Sequence, residues 1–176
     1  VTKATLIVPT VGHGYGYRVP RFACGVIVSD ERGIWAARNE GANRAIELDR
    51  LKPSDWLIFV DDDTEIPYDA PLPPDDVQLA VPIYSPAWAG AESDISAAQI
   101  NFVNFVNASR FGPLSVGSCI AVRVFAFQLV GGFLDGEWED IELGTRVATR
   151  HGEPWGLWRT RVLVHRRYSN SWMEFR

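Results

Sequence analysis

The feature that most restricts the fold is a set of apolar runs that do not alternate. "ATLIVPT" (residues 4–10), "ACGVIVSD" (23–30) and "DWLIFV" (55–60) carry β-branched and aromatic residues with no polar position at every second step. A strand with one face in water alternates, so continuous runs predict strands covered on both faces. "IWAARNEGANRAIEL" (34–48) instead places Ile34, Ala37, Gly41, Ala45 and Leu48 at helical intervals, with Arg38, Glu40 and Arg44 elsewhere. That spacing predicts an amphipathic helix that Pro53 prevents from continuing. "VQLAVPIY" (77–84), "LSVGSCIAVR" (114–123) and "RTRVLVHRR" (159–167) read as further strands. Residues 95–109 and "EDIELGTRVATRHG" (139–152) read as helices, the second closed by Gly152, while "VFAFQLVGGF" (124–133) leads into a glycine turn and "VGHGYGYRVPRF" (11–22) is a loop. Alternating strands and helices predict an α/β domain with a mostly parallel central sheet flanked by helices.

The 176 residues, 47% of them hydrophobic, suffice for one compact domain with its own core, so residues 1–176 are expected to form a single unit. A formal net charge of −5 argues against a chain that coats nucleic acid by overall charge. The charge is uneven: from Arg150 onward six Arg face Glu153 and Glu174, leaving this end at +4 and residues 1–149 at −9. The basic, aromatic segment 159–176 is therefore expected to face an anion or the acidic body. Cys24 and Cys119 fit neither a disulfide framework nor a zinc spacing and sit in apolar runs, which points to a reducing, cytoplasmic setting. No run is long and apolar enough for a membrane span, and no signal-peptide pattern is legible in a chain that opens at Val1.

The third apolar run ends in "DDDTEIP", three consecutive aspartates at the mouth of a buried strand. If the chain stays extended, Asp61 and Asp63 share one side and Asp62 takes the other. At about 4 Å and an effective dielectric near 20, two such carboxylates repel by roughly 4 kcal/mol. A divalent cation answers this, and Mg²⁺ or Mn²⁺ needs only one or two carboxylates while keeping positions open for phosphate oxygens. The strand's carboxyl end is also where open α/β sheets bind ligands. A solvated acidic turn is the plain alternative. A calcium-binding EF-hand loop is excluded, because Ile66 and Leu72 stand where it needs Gly and Glu.

A second acidic pair, Glu139 and Asp140, opens the helix after a Gly-rich turn, where the helix dipole favours acids in any protein. The neighbouring Trp138 adds a flat apolar face on which a sugar ring could stack, and an indole can raise a carboxylate's pKa by desolvation. Trp138 and Glu139 are thus candidate acceptor-side residues.

Taken together, "LIVPT", "GIWAARNEGANRA", "IFVDDDTEIP" and "VGGFLDGEWEDIELGTRVATRHG" resemble, in order, four segments of the nucleotide-sugar glycosyltransferases of the GT-A fold, especially inverting family 2. The resemblance covers most of residues 4–168. It implies a reduced GT-A-like (Rossmann-like) domain and a metal-dependent inverting transfer from a nucleoside-diphosphate sugar to an acceptor hydroxyl. It makes Asp63 a metal ligand, with Asp61 supporting the same Mn²⁺ or Mg²⁺ and Asp62 reaching the donor ribose. Asp140 becomes the catalytic base and the late His165 a further metal ligand, although a His on an apolar strand is also commonly structural. Arg38 would lie near the donor phosphates or pair with the aspartates, and Thr10 would line the base pocket. Where the family has a helix and a second strand ending in a base-reading acid, this chain has one loop and one strand, and Asp30 takes that place. A UDP-sugar donor is favoured and a GDP-sugar remains open. The acceptor stays open among glycan, small molecule, lipid, protein and nucleic acid.

Two other readings compete. A sugar nucleotidylyltransferase is suggested by "GYGYRVP", whose backbone amides could cradle phosphates. A non-catalytic nucleotide-sugar or carbohydrate-binding module is suggested by seven Trp, among them Trp138, Trp155, Trp158 and Trp172. The basic tail is expected to close over a diphosphate, with a polyanionic acceptor such as DNA as the alternative.

Overall fold

The computed structural model describes residues 2–9, 19–29, 33–87, 95–108, 119–136, 138–151 and 155–165. Its strands are β1 (Ala4–Pro9), β2 (Ala23–Ser29), β3 (Trp56–Val60), β4 (Thr64–Glu65), β5 (Leu79–Pro86), β6 (Cys119–Arg123) and β7 (Trp155–Val164). Its helices are α1 (Ile34–Leu48), α2 (Ile95–Ala108), α3 (Val124–Val130) and α4 (Glu139–His151). The strands form one sheet in the order β2-β1-β3-β6-β5-β7-β4. β1, β2, β3, β5 and β7 run in one direction, and β6 and β4 run against them. Five strands share one direction, as a mostly parallel sheet predicts, but the sheet is mixed, with β6 antiparallel between β3 and β5 and β4 antiparallel at the edge beside β7.

Continuous apolar runs do mark doubly covered strands: every residue of β1, β3 and β6 is buried. Their side chains alternate between two cores because successive residues of a strand point to opposite faces. On one face Ile7, Leu57, Phe59, Ile120 and Val122 pack with Ala42 and Ala45 of α1, Phe127 of α3, and Leu143 and Val147 of α4. On the other, Leu6, Trp56, Ile58, Ala121 and Trp158 pack with Ile100 of α2 and with Ile66, Ala70 and Val77 from the segment between β4 and β5. β2 departs from expectation. As the sheet's edge it buries only Ile27 and Ser29, and Val28 is exposed. Pro82 lies in β5 where the β5–β7 register shifts between Val81 and Ile83, as suits a residue with no N–H for the ladder.

Three elements differ from the sequence reading. Residues 124–130, expected only to approach a turn, form α3, which ends on Gly131 in the left-handed conformation at φ 83°. There Gly132 N donates to Phe127 O at 3.0 Å, closing the helix end. β4 is two residues long, too short to leave a pattern. Residues 159–164 of the basic C-terminal segment belong to β7, held between β5 and β4, and 166–176 lie outside the described residues. So do Gly152, the stretch 114–118 of the fifth run and most of the Gly-rich loop. Among the described residues no helix is long and apolar enough to cross a membrane.

Helix α1 matches its expected bounds, but its inner face is offset from the reading: Ala37, Arg38, Gly41, Ala42 and Ala45 are buried, while Ile34 and Leu48 are 43% and 62% exposed. Small residues let the helix axis approach the sheet. A Cβ on Gly41 would stand 2.5 Å from Ile7 Cγ2 in the core. Gly41→Ala should therefore lower stability by about 1–3 kcal/mol through overpacking, despite alanine's better helix propensity. Urea denaturation checks this, and an alanine variant as stable as the parent would show that α1 has room to move.

Candidate functional site

The carboxyl ends of β1, β2 and β3 lie together at one edge of the sheet because these strands are parallel and in register, Pro9 opposite Ser29 and Ile7 opposite Phe59. Asp61 follows β3 at this edge. α1 presents Arg38 to it, one helical turn from the close approach at Gly41. The start of α4 brings Glu139 and Asp140.

Arg38 joins the two acidic motifs. Its guanidinium is buried; Nη2 donates to Asp61 Oδ1 at 2.8 Å and Nη1 donates to Glu139 Oε1 at 2.6 Å. Its Cζ sits 5.3 Å from the centroid of the Phe133 ring. This corrects the placing of Arg38 on the helix's outer side: the salt bridge with the aspartates is the alternative that the structure contains, but in the interior. Burial alone would lower the arginine's pKa, yet Asp61, Glu139 and Asp140 together raise it. Burial also pushes the Asp61 carboxyl up to about 6 against the pull of Arg38, with Asp63 and Asp140 adding to the rise. The same cause raises Glu139, again opposed by Arg38. One guanidinium faces three carboxylates, so the cluster keeps an excess of negative charge.

The triplet itself is not extended. Thr64 N donates to Asp61 O at 3.0 Å, a β-turn that carries Asp62 and Asp63 at its centre and leads from β3 into β4. Strict alternation therefore does not hold across residues 61–63. Asp63 is tied instead to β7: His165 N donates to Asp63 O at 2.8 Å, extending the ladder in which Thr64 pairs with Val164. Asp63 and His165 are thus backbone neighbours just beyond the paired Thr64 and Val164. The His165 imidazole lies 3.4 Å from Glu65, Nε2 to Oε2, both side chains about half exposed.

These residues suit an open cation site and not a closed cage. Among the described residues no three of His, Cys, Asp and Glu come close enough to enclose a metal ion. An ion that retains water and phosphate oxygens asks less of the protein, only one or two carboxylates. Asp63, bonded to His165 through the backbone and close enough to Asp61 to help raise its pKa, is the candidate for that role.

Two contacts with no assigned role in the sequence reading fix the Gly-Gly-Phe turn. Asn39 Nδ2 donates to Phe133 O at 2.8 Å and its Oδ1 accepts from Phe133 N at 2.9 Å, so a side-chain amide imitates a strand partner. Arg146 of α4 donates to Val130 O and to Gly132 O, and pairs with Glu142. Asn39 and Arg146 both lie in the segments that carry the family resemblance, which was the available signal. Trp138 is 53% exposed, free of the core. Trp158 is wholly buried, its Nε1 donating to Pro71 O at 2.8 Å, so it belongs to the core and not to a sugar platform. Thr10, Asp30 and Trp172 lie outside the described residues; Thr10 and Asp30 directly follow the ends of β1 and β2.

No protein-family model matches the sequence, and no curated protein matches it significantly. The structure is similar to the crystal structure of GalNAc-T7 with UDP, GalNAc and Mn²⁺, at a TM-score of 0.60 and 14% identity, over 96% of this chain and 45% of that one. The chain thus spans under half the length of that protein. Weaker similarity, at a TM-score of 0.48 and 12% identity, extends to glucosyl-3-phosphoglycerate synthase from Mycobacterium tuberculosis, over 98% of this chain and 74% of that one. The fold is that of the GT-A glycosyltransferases, in reduced form.

Because Arg38 is buried against two carboxylates, Arg38→Leu should cost about 3–5 kcal/mol, the effect of leaving buried charges without their partner. Arg38→Lys should fall between, since one ammonium cannot reproduce the two-armed fork. Chemical denaturation of the three proteins tests this; equal midpoints would mean the bridge does not organise the site.

Proposed function

We propose that the chain is a metal-dependent glycosyltransferase that moves a sugar from a nucleoside diphosphate to an acceptor hydroxyl with inversion. The observation that carries this reading is Arg38, which draws the aspartate turn and the Glu139–Asp140 helix start to one point at the carboxyl edge of the sheet. The similarity in fold to GalNAc-T7, a structure holding UDP, GalNAc and Mn²⁺, supports the donor class and favours UDP. Asp63 and His165 would hold the ion, and Asp61 and Asp62 lie beside it for the donor. When bound, Mn²⁺ or Mg²⁺ supplies neutralising charge for the departing diphosphate. Asp140 takes the proton from the acceptor hydroxyl as general base. Glu139, held by Arg38, positions the helix start, and Trp138 offers its exposed ring to the acceptor.

Incubation with UDP-hexoses and Mn²⁺ should release UDP, and EDTA should stop it. Pyrophosphate release would instead indicate a nucleotidylyltransferase, and donor binding without turnover across acceptors a binding module. Asp140→Asn should cut transfer by about 10²–10⁴-fold while UDP binding persists, whereas Asp63→Ala should weaken Mn²⁺-dependent UDP binding. Undiminished transfer by Asp140→Asn would remove the base assignment, and retention at the anomeric carbon, read by NMR, would remove the inverting mechanism.

A further inference from the structure

Along β7 the burial alternates: Trp158, Thr160, Val162 and Val164 are buried, while Arg159 and Arg161 are exposed. Residues two apart share a face, so Arg159, Arg161, Leu163 and His165 form one row. That face is the side on which α1, α3 and α4 pack, because Trp155 and Leu157 join the core that holds Leu143 and Val147 of α4. On this side Ile83, opposite Arg161, is 37% exposed.

A groove of about 1000 Å³ runs beside β7, lined by Arg159, Arg161, Trp155 and Ile83 and, from the side of the other core, by Val77 and the end of α2 at Asn107, with Asp76 also in its lining. Beyond it a smaller hollow of about 450 Å³ is lined by Glu65, Tyr68, Asp69 and Leu163. Arg161 is four residues before His165, roughly 13 Å along the strand. Among the described residues neither Arg159 nor Arg161 has an ion pair or hydrogen bond, unlike the Arg38, Arg44, Arg123 and Arg146 guanidiniums, each paired with a carboxylate.

We infer that this groove binds an acidic sugar, a saccharide bearing carboxylate or phosphate groups, with its anions on Arg159 and Arg161. Resting on the transferase reading, it would be the acceptor subsite, since the row leads from the groove to the edge that holds Asp63 and His165. The two guanidiniums supply charge-assisted hydrogen bonds to anions, and the ring of Trp155 in the lining suits the neutral parts of a sugar. A uniformly charged nucleic-acid strand fits less well, because Asp76 lines the groove and the chain carries a net charge of −5.

The test uses the full chain, with calorimetric titration of a galacturonate trimer, glucose 6-phosphate, neutral maltotriose and a dT oligonucleotide. The expected result is binding of a charged sugar about tenfold or more tighter than maltotriose, the first two arms separating carboxylate from phosphate. Arg159→Ala/Arg161→Ala, at exposed positions, should weaken that binding by a similar factor while circular dichroism and thermal midpoint stay unchanged. Equal binding by the double variant, no binding of either charged sugar, or tighter binding of the oligonucleotide would each overturn the inference. UDP titration with Mn²⁺ on the same samples separates the two readings. Lost donor binding with sugar binding intact removes only the transferase role, and intact donor binding with a failed sugar arm removes only the groove.

Discussion

The site depends on one buried guanidinium. An arginine inside a protein is costly unless its charge is met, and Arg38 meets that demand by reaching two carboxylates from segments 23 and 101 residues away in sequence. Its planar fork sets the angle between them as well as the distance. Helix α1, the end of β3 and the start of α4 are thereby fixed relative to each other. The compensation is incomplete, since Asp61 is still pushed up to about 6 by its burial. Asp63 and Asp140 add to that rise.

The adjacent residue, Asn39, extends the same logic through hydrogen bonds in place of charge. It holds Phe133, whose ring lies at 4.8 Å from that of Phe59 in the core, centroid to centroid, and also faces Arg38. A Cβ at Gly132, itself at φ 74°, would meet Asn39 Oδ1 at 2.5 Å, so only glycine lets the amide reach this turn. Arg146 closes the turn from the other side. Packing and polar pairing thus converge on the loop that aims Glu139 and Asp140.

How much of this was legible varied with the kind of interaction. Helix α1 was readable to its ends, because small and apolar residues recur with helical period and Pro53 follows. The same counting put Arg38 outside, since it scores every charge as solvent-seeking and cannot see a partner far along the chain. The doubly covered strands were readable from their continuous apolar runs, but β2 was misjudged, because the sequence of a strand does not say which neighbour it will lack. The alternation argument for Asp61 and Asp63 failed for a local reason: the chain turns at the triplet, and Thr64 bonds back to Asp61. Helix α3 is seven residues long, too short for its period to stand out.

What the sequence by itself determined was the class of fold, the order of its elements and the residue types gathered near the strand ends. These follow from hydrophobic pattern and local turn chemistry, which act over a few residues. Tertiary structure alone decided that Arg38 is interior and bridges two acidic motifs, that the backbone of Asp63 bonds to that of His165, and that Arg159 and Arg161 share an exposed row. Each of these depends on which distant segments become neighbours. Neighbourhood is set by sheet order and helix packing, and the desolvation that gives buried charges their weight exists only once the chain has closed around them.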